Sequence, residues 1–256
     1  MQAKTHRQYK RLSRQQKRQF KRLKRRGPIA RFLKGIIRFF KKRPEIVNLS
    51  GGELKDKAIY IANHNAASGP ITYEAYFPKL LTPWGAHQMC GSYKERWNYL
   101  YRIFYRQKLK YGKFKSWMLA TVFAVFSKKV YMCVGLIPTY HDARLIKSIR
   151  HSIEILNYGY GILIFPENSD DGYKEVLEEY NRGFVTLSKL FYKLHGEDLP
   201  VYNVYYCKQH AKIVIGRPFF LNKMLGEGVT EHGIAKLMTE KTNALYAEHI
   251  QVKGEK

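Results

Sequence analysis

The chain is poor in cysteine, holds no long hydrophobic run, and carries no acidic side chain before Glu45. Its three cysteines, Cys90, Cys133 and Cys207, lie far apart, with no Cys-x-x-Cys pair. That excludes a disulfide framework and a cysteine-built zinc site, and it points to a reducing, cytosolic setting. No stretch of about 18 apolar residues is free of charge, so a membrane-spanning helix is not expected. The nearest candidate, Trp117 to Phe126, ends at Ser127 and two lysines and reads as a buried or half-submerged helix. The positive stretch that opens the sequence is too long for a secretory signal, and no apolar run with a cleavage site follows it. Phosphate loops, dinucleotide fingerprints, Gly-x-Ser-x-Gly elbows and His-Glu-x-x-His pairs are missing as well. The simplest nucleotide-binding, serine-hydrolase and zinc-protease readings fall with them, and no metal or bound cofactor is expected.

What the chain does have is positive charge, 46 Lys and Arg against 20 Asp and Glu, a net of +26. Residues 1–43 hold 18 basic side chains; residues 44–256 hold 28 basic and 20 acidic ones. The sequence therefore divides into a basic arm, 1–43, and a body, 44–256. At 45% hydrophobic and 14% aromatic residues overall, the body is too apolar for disorder and long enough for one sizeable core.

Within the arm, residues 1–26 are blocks of like charge that repel one another and stay extended or partly helical without a polyanion. Gly27-Pro28 punctuates the chain. Beyond it Ile29, Phe32, Leu33, Ile36, Ile37 and Phe40 recur at helical spacing, with Arg31, Lys34, Arg38 and Lys41 largely between them. A basic helix with a Phe/Leu/Ile face suits an anionic bilayer surface. The same face also suits an ordinary first helix packed on the body.

The body alternates strands and helices. Strands are expected at 58–62, 134–140, 161–165, 201–206 and 212–215. Helices are expected at 94–108, 113–129, 144–157, 182–194 and 230–250, and residues 71–77 form a short helix or an extended segment. This alternation predicts an α/β fold with a mostly parallel sheet flanked by helices, preceded by the basic amphipathic helical arm. Ligands of such sheets sit beyond the carboxyl ends of the strands. His64 follows one predicted strand and Glu167 follows another.

Four blocks then stand in order: Asn63-His64-Asn65-Ala66-Ala67-Ser68-Gly69, Gly135 to His141, Phe165-Pro166-Glu167-Asn168-Ser169-Asp170, and Leu199 to Val204. Together, and with Arg182-Gly183-Phe184 between the last two, they resemble the motifs of the glycerophospholipid acyltransferase family, the lysophosphatidic-acid acyltransferase-like enzymes. The resemblance spans about residues 55–220. It implies that His64 is the general base toward an acceptor hydroxyl. It also implies an acyl-CoA or acyl-carrier-protein thioester as co-substrate, with no bound cofactor. Three departures accompany it. Gly69 stands where the family has the Asp that orients the His. Asp170 and His141 stand where it has phosphate-binding arginines.

Several accounts of those departures stay open. A rearranged site would keep His64 as base, oriented by Glu167, Asp170, Asp171 or Asp142, by Asn65, or by a backbone carbonyl. Arg144 or Arg182 would then hold an acceptor phosphate. Alternatively, the acceptor carries no phosphate, or the chain is a catalytically silent lipid-binding relative. The expected catalytic residues are His64, Glu167 and Asp170. The expected substrate-binding residues are Asn63, Asn65, Ser68, Gly69, His141, Arg144, Pro166, Asn168, Ser169 and Arg182. The expected setting is peripheral, on the cytoplasmic face of the cell membrane, with an anionic membrane surface, a lipid acceptor and an acyl donor as partners and no specific nucleic acid. A nucleic-acid-binding protein that uses the arm to neutralise phosphates is the competing class.

Overall fold

The computed structural model describes residues 28–66 and 68–251. Residues 1–26, expected to be extended or partly helical, lie outside the described residues, as do the side chains of Ile29 and Leu33. Helix α1 spans Pro28–Phe40, and β1 spans Glu45–Asn48. Next come β2 (Ile59–Ala62), α2 (Ser68–Tyr76) and β3 (Leu81–Ala86). A helical insert follows: a 3-10 turn (His87–Cys90), α3 (Tyr93–Asn98), a π-helix (Tyr99–Lys108) and α4 (Lys113–Cys133). The chain returns through β4 (Ile137–Thr139), α5 (Leu145–Asn157), β5 (Gly161–Ile164) and α6 (Gly183–His195). It closes with β6 (Pro200–Cys207), β7 (Lys212–Phe220), α7 (Leu221–Gly226) and α8 (Glu231–His249).

The seven strands form one sheet in the order β1-β7-β6-β2-β5-β3-β4. Every neighbouring pair is parallel except β6 with β7. The mostly parallel α/β fold is thus as expected from the alternation of elements. Strand β2 shows how the sheet makes two cores. Ile59 and Ile61 face the layer formed with Ile149, Ile153 and Leu156 of α5, Phe184, Leu187 and Phe191 of α6, and Ile234 and Met238 of α8. Tyr60 and Ala62 face the opposite layer with Tyr73 of α2, Phe77, Tyr202 and Val204. A period of two on a strand buried on both faces gives one apolar run and two packed surfaces.

Two expected element boundaries moved for identifiable reasons. Ser68-Gly69-Pro70, which reads as a turn, opens α2 instead; a proline in the first turn forfeits no intrahelical bond. Strand β3, LTPWGA, went unpredicted because Pro83 and Gly85 read as breakers. It pairs with β5 over Leu81–Pro83 and with β4 over Trp84–Ala86, so the proline sits where the ladder changes partner.

The insert between β3 and β4 has its own core, in which Met89, Leu100, Tyr105, Ala120 and Ala124 are buried with Trp97, Tyr99 and Tyr131 around them. Within it, Leu109 N–H donates to the Phe104 carbonyl, five residues back, at 3.0 Å. Such π-helical turns are frequent at functional sites. Among the described residues, no helix is long and apolar enough to cross a membrane.

Candidate active site

Strands β6, β2 and β5 are parallel neighbours, so the residues after their carboxyl ends meet at one edge of the sheet. Asn63 is buried there and fastens the β2 loop to β6. Its Nδ2 donates to the Tyr206 carbonyl at 2.9 Å, and its Oδ1 accepts from the Tyr206 N–H at 2.7 Å. The side chain thus continues the ladder where the backbone leaves it. Asn65 and Ala66 follow with φ of 42° and 52°. This left-handed stretch, unusual for alanine, turns the chain back on itself. The Ala66 carbonyl comes within 2.5 Å of His64 Nδ1. A carbonyl only accepts, so Nδ1 carries the proton and the neutral ring presents Nε2 as its basic nitrogen.

The ring of His64 is half-buried. It stacks on Tyr173 at 4.8 Å between centroids, with Phe165 tilted against it at 4.9 Å. Burial holds its pKa down, at about 4. At neutral pH the imidazole is therefore uncharged, though a weaker base than a free histidine.

Glu167 lies beside His64 but does not touch its ring. Its Oε1 accepts the His64 backbone N–H at 2.6 Å. Burial raises the carboxyl pKa to about 7, opposed by that hydrogen bond and by the charge of Lys108. No carboxylate is hydrogen-bonded to either ring nitrogen among the described residues. Of the open alternatives for orienting His64, the geometry supplies the backbone carbonyl.

Position 69 admits no side chain. A Cβ at this position would fall 2.1 Å from the His64 carbonyl oxygen and 2.9 Å from its carbon, both backbone atoms. No side chain fits there while the loop keeps this path. Ser68 stands one residue earlier, its N–H bonded to the Asn65 carbonyl at 3.2 Å and its Oγ 3.3 Å from Tyr206 Oη.

Apart from Phe165 and Glu167, the third block turns away from the ring. The Pro166 carbonyl accepts from Asn181 N–H at 2.7 Å, and Asp170 is exposed, its N–H on Asn168 Oδ1 at 3.2 Å. Ser169 is buried and accepts from Lys108 Nζ at 2.6 Å. Asn168 and Arg182 share a polar cleft of about 180 Å³ with Glu179, Tyr180 and Asn181. The second block is farther off. Strand β4 is three places from β2, roughly 14 Å at the usual strand spacing. His141 is exposed there, and Arg144 is paired with Asp142 at 2.7 Å and lies over the Tyr140 ring.

Three contributors to the site were not singled out from the sequence. Tyr173 stacks on the His64 ring. Lys108, at the end of the π-helix, brings a partly desolvated cation to Ser169, Glu167 and Asp170, its pKa lowered mainly by burial. Lys41, just after α1, donates to the Ser68 carbonyl at 2.9 Å, to Ser68 Oγ at 2.8 Å and to Thr72 Oγ1. Lys41 and Lys108 reach the site from elements remote from the four blocks, and Tyr173, three residues beyond Asp170, lies just outside the third one. Compared with protein-family models and with curated proteins, the chain matches none.

Proposed function

We propose that the protein is a membrane-associated acyltransferase that moves a fatty acyl group from a thioester donor to a lysolipid or other lipid hydroxyl. The observation that carries this reading is the His64 tautomer. With Nδ1–H fixed on the Ala66 carbonyl, Nε2 is free to take a proton from an acceptor hydroxyl, and that oxygen attacks the thioester carbonyl. Collapse of the tetrahedral intermediate breaks the carbon–sulfur bond. The departing thiolate takes back the proton held on His64. The oxyanion needs N–H donors. Ser68 N–H is already engaged, which leaves Gly69 N–H in the first turn of α2 as the nearest candidate.

The donor is an acyl-CoA or acyl-carrier-protein thioester, and no bound cofactor takes part. Exposed Asp170 and His141, in place of two cations, favour an acceptor that carries no phosphate at those positions. In this reading the protein sits peripherally on the cytoplasmic face of the cell membrane, held there by its basic arm. Support comes from α1, whose Phe32, Phe39 and Phe40 are 69–84% exposed, so its apolar face is not an ordinary core face. Its basic side chains make the contact with the body: Arg38 donates to the Ala75 carbonyl at 2.9 and 3.1 Å.

A second reading, a lipid-binding relative without turnover, is favoured by the finding that no carboxylate among the described residues is hydrogen-bonded to the His64 ring. Release of free thiol from acyl-CoA, measured with phosphorylated and unphosphorylated lysolipid acceptors, separates the two. Acceptor-dependent release supports transfer, and acceptor binding without release supports the silent relative. A nucleic-acid-binding function predicts that RNA displaces the protein from anionic vesicles.

A further inference from the structure

Helix α4 is built inside out. Its buried stripe is Ser116, Ala120, Ala124 and Ser127, all small. Its exposed surface carries Phe114, Trp117, Met118, Val122, Phe123, Val125, Phe126, Val130 and Met132, each 37–76% accessible. Residues 116–127 contain no charge, and exposed lysines stand at both ends, Lys113 and Lys115 before and Lys128 and Lys129 after. An apolar face of this extent marks a surface that another phase or molecule covers.

Charge says which. Residues 96–141, which run from within α3 past β4 and contain α4, hold nine basic side chains and no acidic one; Glu95 stands just before them. The arm holds 18 basic and none acidic, and the rest of the chain comes to −1. Two acid-free segments, separate in sequence, therefore account for all of the +26. Their described parts meet: α1 lies against α4 as well as α2. Exposed Phe32, Phe39 and Phe40 of α1 thus neighbour the exposed aromatic face of α4, with Arg31, Lys42 and Arg43 exposed nearby.

The geometry points to α4 as a second membrane anchor, which lies in the headgroup layer of an anionic bilayer beside α1 and seats the insert on the lipid surface. The uncharged stretch is about 18 Å long at the helical rise, well short of the roughly 30 Å hydrocarbon core, so the helix lies in the surface rather than crossing it. Terminal lysines reach anionic headgroups while the Phe, Val and Met side chains enter the acyl boundary. The same insert delivers Lys108 to the His64 neighbourhood, so the surface that touches lipid is joined to the site. This inference rests on the membrane half of the proposed function and is independent of the acyl-transfer half.

The test is sedimentation of the full chain with vesicles of phosphatidylcholine alone or mixed equally with phosphatidylglycerol. The variants are Val122→Glu/Phe126→Glu on α4 and Phe32→Glu/Phe39→Glu on α1, all at exposed positions, with circular dichroism to show that the fold is kept. The expected result is anionic-lipid-dependent binding that falls at least about tenfold in either variant. Trp117 fluorescence is also expected to be quenched by brominated lipid, with the quenching lost in Trp117→Phe. Wild-type binding by the α4 variant, with loss only in the α1 variant, overturns the inference and leaves the arm as sole anchor. No binding by the wild type overturns both anchors, while thiol release with detergent-dispersed acceptors still decides the chemistry. A wild-type dimer that the α4 variant disperses, without vesicle binding, assigns the face to a second copy and overturns the lipid.

Discussion

The carbonyl oxygen of His64 occupies the space into which a side chain on Gly69 would project, 2.1 Å from an ideal Cβ. Glycine at position 69 is therefore required by the loop's path. The His64 ring is oriented from inside its own turn, by the Ala66 carbonyl. Placing an acid at position 69 is then expected to harm the protein. Gly69→Asp and Gly69→Ala should both destabilise it, by roughly 2–4 kcal/mol, because backbone rather than a flexible side chain must move. Thermal unfolding of the two variants checks this. A Gly69→Asp protein as stable as the wild type contradicts the described loop.

Asn63 stands between β2 and β6 with both ends of its amide on Tyr206. Asn63→Ala leaves the buried Tyr206 N–H without its acceptor and the Tyr206 carbonyl with only the longer bond from Asn65 Nδ2, at 3.4 Å. A loss of about 2–3 kcal/mol is expected in denaturant unfolding. Asn63→Asp keeps the acceptor, loses the donor and adds a buried charge, so it should be no better than alanine.

Glu167 links stability to pH. Its carboxyl pKa is raised from 4.5 to about 7 in the folded protein. A raised pKa contributes stability that is fully present below 4.5 and is lost as pH climbs toward 7. His64 works in the opposite sense: its pKa, lowered to about 4, contributes stability above 6.5 that is lost as pH falls toward 4. In the wild type the two trends oppose each other across the overlap. Glu167→Gln keeps an acceptor for the His64 N–H and removes only the carboxyl titration. Relative to wild type, this variant should gain stability between pH 4.5 and pH 7, by up to about 3 kcal/mol, and level off above. Melting temperatures of both proteins across that range decide it, and a constant difference refutes the burial of Glu167.

The sheet was legible because β2, β5 and β6 are apolar runs with clear punctuation, and because Gly159 and Gly196, both at positive φ, close α5 and α6. Edge strand β1 is four residues long and β3 contains Pro83 and Gly85, so neither has a period to read. Asn63, His64 and Glu167 were legible as a group because all three follow strand ends. Lys41, Lys108 and Tyr173 were not, since only the fold brings them near. Helix α4 was legible as a helix, but whether buried or half-submerged was not, because a helix that is apolar on nearly every side gives no periodic sign of which side faces out.

We propose that His64, held by its own backbone turn, is the base of an acyl transfer. The most direct test is the rate of acyl transfer from acyl-CoA to a lysolipid hydroxyl on anionic vesicles, wild type against His64→Ala. Transfer by the wild type is expected, with an acid limb governed by a group of pKa about 4 and a loss of roughly a hundredfold or more in the variant. Equal rates in the two proteins, or no transfer by the wild type with any acceptor, would contradict it.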